Sequence, residues 1–119
     1  MTSEPSQDLL GVRDALREFA SARDWDQFHS PRNLAASICI ESAELLERFQ
    51  WTDRSSDELT PDEVTAIRHE LADVLLYLVR LADKLGIDPI AAAHEKIAIN
   101  ASKYPVDKAR GSSRKYDQL

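Results

Sequence analysis

The chain holds a single cysteine, Cys39, among its 119 residues, so an intrachain disulfide is excluded, and the apolar neighbours of that thiol mark it as an ordinary core residue. Positive charge is also scarce: 15 Lys and Arg stand against 21 Asp and Glu, a formal net charge of -6. That balance excludes gripping nucleic acid through its phosphates, which needs clustered cations. No uninterrupted apolar run approaches the roughly 18 residues that cross a bilayer. The opening MTSEPSQD lacks the basic and apolar regions of a signal peptide, so a soluble, cytoplasmic protein with no membrane partner is expected. Alternating strand patterns, internal repeats and low-complexity tracts are missing as well.

What remains is helical. Ser30-Pro31, Thr60-Pro61 and Asp88-Pro89 each pair a favoured N-cap with the residue favoured at the first helical position. Glu63 completes a T-x-x-E capping box at the second of these starts. Helical spacing of Leu9, Val12, Leu16 and Phe19 adds a helix over about 6–22, and the others run over about 31–50, 61–85 and 89–103. Gly86 stops the third and Pro105 the fourth. The expectation is an all-α, four-helix bundle-like single domain over residues 1–103, followed by an extended basic C-terminal tail over 104–119.

Acids break into two of these apolar helices. In ESAELLERFQW, Glu41 lies about 20° and Glu44 about 80° from Leu34 on the helical wheel, so both border the apolar stripe. Glu47 points further away, either to solvent or behind the acids that would hold an ion. In ELADVLLYLVRLA, Glu70, Asp73 and Tyr77 share a sector beside Leu81 and Val74. Four carboxylates at one boundary repel one another unless a cation compensates. Oxygen-only ligation without His or Cys suits Mg2+, with Mn2+ as the alternative. A di-iron carboxylate centre would need Glu-x-x-His motifs, and neither helix has one. Asp26-x-x-His29 occurs once, ahead of a helix start, and is set aside; His29 and Arg32 are read as structural and surface residues.

The run E41-S-A-E44, then E70-L-A-D73, then K96-x-x-x-N100 resembles the signature of the MazG-like all-α nucleoside triphosphate pyrophosphohydrolases. Segments RDWDQFHSPRNL (23–34), ELLERFQW (44–51), ELADVLLYLV (70–79), KYPV (103–106) and RGSSRKY (110–116) are similar to its dCTP pyrophosphatase branch. The resemblance implies an enzyme that, with Mg2+, cleaves a nucleoside triphosphate between the α and β phosphates, giving monophosphate and pyrophosphate. It puts Glu41, Glu44, Glu70 and Asp73 at metal-binding positions, with Glu41 or Glu44 accepting the proton of the attacking water. It further implies a homodimer or homotetramer with sites near the subunit interface. Leu16 stands where the branch carries a base-pocket histidine, and Arg48 where an apolar residue is usual.

Around these acids several residues are candidates for substrate contact. Trp25 and Trp51 flank the second helix and match aromatic positions of the branch; stacking on a base is worth roughly 1–3 kcal/mol. Tyr77, one turn after Asp73, would bond the sugar or orient the ligand. Lys96 and Asn100 share a face of the fourth helix with Lys103 and would meet phosphoryl oxygens with a point charge and a directional donor. From the tail, Lys115 and Tyr116 would close over the triphosphate. The competing expectation is a non-catalytic helical binding or dimerisation module with solvated acids.

Overall fold

In the computed structural model, which describes residues 8–119, helices follow one another in the order the prolines dictate. The expected helix start near residue 6 and most of the opening MTSEPSQD lie outside the described residues. Among the described residues there is no strand. Helix α1 spans Leu9–Ala22, α2 Pro31–Glu47, α3 Pro61–Lys84, α4 Pro89–Lys103 and α5 Val106–Ala109. Single 3-10 turns occur at Asp26–Phe28, Ser56–Glu58 and Tyr116–Gln118.

Capping explains these boundaries. Asp8 accepts from the Gly11 N–H at 2.8 Å and Ser30 from Asn33 at 3.2 Å. The Thr60 hydroxyl accepts from the Glu63 N–H at 3.2 Å while Glu63 returns the favour to the Thr60 N–H at 3.3 Å, so two orphan donors are satisfied together. Asp88 takes both Ile90 and Ala91. Gly86 turns left-handed at φ +66° directly after the α3 cap, which a glycine does without strain. Helix α2 ends three residues earlier than its periodicity predicts: Arg48, Phe49 and Gln50 make turn-type bonds back to Leu45, Leu46 and Glu47, and Trp51 takes φ +68°.

The described residues separate into two units that meet in sequence at Gly86. In the first, α3 packs against both α2 and α1. Leu34 of α2, Ala20 of α1 and Val79 of α3 are its buried apolar residues. Arg17 of α1 forks onto Asp83 of α3, with Nε 2.8 Å from Oδ2, and fastens those two helices outside the core. Cys39 is exposed, which corrects the expectation of a core thiol: α2 buries the side that carries Leu34, and Cys39 lies off it. The long apolar pattern of α3 has more residues than this packing covers. Val64, Leu71, Leu75 and Leu78 remain exposed along one stripe.

The second unit comprises α4, α5 and the chain to Leu119. Residues 104–119, expected to be extended, contain the helical turn of α5 and the 3-10 turn at Tyr116. Tyr116 meets Tyr104 edge to face at 6.2 Å between centroids, and the Lys103 ammonium lies 4.9 Å from the Tyr116 ring. No helix of the described residues is long and apolar enough to cross a membrane.

Candidate active site

Packing α2 on α3 brings acids of both helices together. Carboxylate oxygens of Glu41, Glu44 and Glu70 all lie within 4.8 Å of one another. The i, i+3 spacing on α2 aims two of them at the same side, and the first turns of the ELADVLLYLV run supply the third. One oxygen, Oε2 of Glu41, is buried without any hydrogen-bond partner. Buried polar atoms are rarely left so, and an orphan carboxylate oxygen in an all-oxygen cluster is what a hard divalent cation takes up. The residues fit such an ion.

Electrostatics say the same. The Glu41 carboxyl is pushed up to about 7, first by the close approach of the Glu44 carboxylate, then by burial and by the charges of Asp73 and Glu70. Part of the compensating charge comes from Arg48, whose guanidinium donates to Glu70 Oε1 at 3.1 Å. Arg48, which stands where the branch usually has an apolar residue, is therefore a direct neighbour of the cluster. Asp73 is outside the 4.8 Å group although its charge acts on Glu41; it lies one helical turn along α3, where it lines a cavity instead.

That cavity, of about 240 Å3, opens between α1, α3 and the turn joining α1 to α2. Leu16 and Phe19 form its α1 wall, Trp25 and Tyr77 add aromatic surface, and Asp73 joins it to the acids. Trp25 is positioned by an edge-to-face contact with Phe19, 5.6 Å between centroids. Two further lining residues, His29 and Arg80, had no functional reading in the sequence. Arg80 is only 6% exposed. Its Nε donates to His29 Nδ1 at 3.1 Å and its Nη2 to Asp26 Oδ1 at 2.7 Å, and Lys84 also binds Asp26. An arginine inside the apolar run LLYLVRLA was the available signal, since a buried guanidinium must find partners.

The other candidates are not among the residues that line this cavity. Trp51 is 94% exposed at the end of α2 and does not line it. Lys96 and Asn100 are exposed on α4, one helical turn apart, and Lys115 is exposed ahead of the last 3-10 turn beside Tyr116.

Comparison with known proteins agrees with the helical fold. "dCTP pyrophosphatase 1" of Homo sapiens is 43% identical over 118 residues, covering 97% of this chain and 69% of that protein. The protein of the same name from Bos taurus is 41% identical over 121 residues, covering 99% and 70%. A crystal structure of a pyrophosphatase from Archaeoglobus fulgidus superposes with a TM-score of 0.76 at 44% identity, covering 88% of this chain and 99% of that one. The model of the MazG-like family matches residues 36–119, a span holding all four candidate acids; with relatives this similar over nearly the whole length, the chain belongs to the MazG-like family.

Proposed function

We propose that the protein is a nucleoside triphosphate pyrophosphohydrolase that takes a deoxynucleotide, dCTP or a related or modified dNTP, and releases the monophosphate and pyrophosphate. The observation that carries this reading is the partnerless, buried Glu41 oxygen in a three-carboxylate cluster, joined through Asp73 to a cavity walled by Trp25 and Tyr77. Relatives named for dCTP pyrophosphatase activity support the substrate class.

Glu41, Glu44 and Glu70 would hold Mg2+, or Mn2+ in its place, with Asp73 as the fourth acid. When bound, the ion neutralises polyphosphate charge, acidifies a water and orients the reacting groups. Glu41 or Glu44 would take the proton of the attacking water as its oxygen bonds to the α phosphorus and the α-β bridging bond breaks, the electron pair leaving with pyrophosphate. Trp25 stacks on the base and Tyr77 orients the sugar, while Leu16 makes the facing wall apolar. Lys96 and Asn100 of α4, with Lys115 and Tyr116 of the tail, are the candidates for phosphoryl contact. Trp51, exposed beyond the end of α2, is a candidate second aromatic surface for the base.

The exposed α3 stripe Val64, Leu71, Leu75 and Leu78 recurs at seven, four and three residues, the spacing of a helix seam. We assign it to a second copy, in a homodimer or a tetramer of dimers working on the cytoplasmic nucleotide pool. Light scattering after size exclusion tests this: a lone 13.4 kDa species would reject the assembly. For the activity, the purified chain is incubated with a dNTP panel and Mg2+, and pyrophosphate and monophosphate are measured. Absence of EDTA-sensitive pyrophosphate release from every nucleotide would reject the reading, and orthophosphate as first product would replace it with a phosphatase. Glu70→Gln and Asp73→Asn should remove turnover and keep the helical signal.

A further inference from the structure

Arg48 is the cation of the first unit that meets the acidic cluster, yet most of its hydrogen-bonding capacity is unspent. Its Nη2–H donates to Glu70 Oε1 at 3.1 Å, and among the described residues no other Lys or Arg lies within ion-pair distance of Glu41, Glu44, Glu70 or Asp73. A guanidinium has five N–H donors, and the bond to Glu70 uses one of them. The side chain is 46% exposed, so the rest of the group is open to a ligand. Arg48 caps α2 with right-handed backbone, φ -65° and ψ -20°, and so continues the wheel of that helix. Glu41, Glu44 and Arg48 fall in one sector of about 60°. Acid, acid and cation therefore follow one another along a single face of α2, with Glu70 of α3 opposite.

The cavity opens at the other end of this row, lined by Trp25 and His29 ahead of α2. At about 1.5 Å per residue, Glu41 stands roughly 15 Å along α2 from its first residue and Arg48 roughly 10 Å further on. Helix α3 repeats the order: Tyr77 and Asp73 line the cavity, and Glu70, one turn back along the helix, holds Arg48. A nucleotide with its base in the cavity and its α phosphate at the acids therefore sends its β and γ phosphates along the row, toward Arg48. Charge calls for a cation there, because a divalent ion offsets only two charges while the carboxylates and the polyphosphate together carry several more. Resting on the nucleotide reading above, we infer that Arg48 is a further substrate-contacting residue, which binds the β and γ phosphates and hence the departing pyrophosphate. Glu70 positions it. A carboxylate has two oxygens, so Oε1 orients the guanidinium while the other oxygen is left for an ion. The planar fork of arginine meets phosphate through parallel N–H···O bonds, and these strengthen as the bridging bond breaks and negative charge gathers on the leaving group.

The test titrates inorganic pyrophosphate and dCMP, each with Mg2+ present, into the full chain and into Arg48→Leu and Arg48→Lys in a calorimeter. Arg48→Leu should bind pyrophosphate about tenfold more weakly and dCMP within about twofold of wild type, because only the pyrophosphate end of the substrate reaches residue 48. Arg48→Lys, which keeps the charge and loses the fork, should recover part of the loss. The gap between wild type and Arg48→Leu should narrow as ionic strength rises from about 0.01 M to about 0.15 M, since a half-exposed charge is screened. Mg2+ alone should bind Arg48→Leu no more weakly than wild type, which separates a phosphate contact from a support for the ion. Residue 48 is half-exposed at a helix end, so both variants should keep the helical circular dichroism of wild type. Unchanged pyrophosphate affinity, an equal loss for pyrophosphate and dCMP, or weakened binding of Mg2+ alone would overturn the inference, as would a wild-type protein that bound no pyrophosphate. If the wild-type protein released no pyrophosphate from any nucleotide, the hydrolytic reading would fail by itself, and the pyrophosphate titration would still decide whether Arg48 holds a polyphosphate.

Discussion

Replacing Glu41 by Gln should stabilise the metal-free protein, and the gain should depend on pH in a set direction. The carboxyl of Glu41 is raised from 4.5 to about 7 by Glu44, by burial and by Asp73 and Glu70. A folded-state pKa above the unfolded one means that, between those values, the unfolded chain binds fewer protons than the folded one. Stability then falls as pH rises through that window, and the penalty is complete above it. At full strength such a shift corresponds to about 3 kcal/mol. Water reaching the partly exposed cluster screens it to about 1–2 kcal/mol. Glutamine keeps the shape and never ionises. Without divalent cations, the variant should melt ~4–8 °C above wild type near pH 8 and within about a degree of it near pH 4. Adding Mg2+ should reverse the order, since a ligand bound only to the folded state raises the melting temperature and the variant has lost a donor. Paired thermal melts by circular dichroism across pH, with EDTA or Mg2+, measure all of this. A melting difference that stayed constant from acid to alkali would refute the charge-repulsion argument, and so would a variant no more stable at high pH.

Four further outcomes are expected. Leu34→Ala, at the most deeply buried side chain of the first unit, should cost about 2–5 kcal/mol in urea denaturation, because a close-packed site leaves a cavity. Thr60→Ala should cost about 1 kcal/mol by removing one half of the α3 capping box, read from the same denaturation curves. Arg17 holds the Asp83 carboxyl below its usual range, so the stability it contributes is present at neutral pH and lost as pH falls through the carboxylate range. Asp83→Asn should therefore destabilise at pH 7 and converge with wild type near pH 3 in thermal melts. Arg48→Ala should tighten Mg2+ binding by about two- to fivefold at low salt in a calorimetric titration, since Glu70 is released from a half-exposed ion pair.

Helix starts were legible because their causes are local. A Ser, Thr or Asp side chain bonds a backbone N–H two or three residues on, and proline fixes the next φ, so Pro31, Pro61 and Pro89 needed nothing distant to be read as first residues. Glu41, Glu44 and Glu70 were legible as a group for a related reason: periodicity puts each beside an apolar stripe, and stripes face each other when helices pack. Where α2 ends was less so, because turn-type bonds at Arg48–Gln50 compete with the helix at an energy that no pattern records.

The chain's order of residues by itself determined an all-helical protein, the register of its helices and the two acidic rows, since each follows from bonds and periodicities within a few residues. Tertiary structure alone decided which acid oxygens converge, that Asp73 turns to the cavity, that Cys39 is exposed, and that Arg80 reaches back over 50 positions to His29 and Asp26. Those facts depend on how helices lie against one another. A buried guanidinium chooses its partners only after the backbone has brought them within a hydrogen bond's reach.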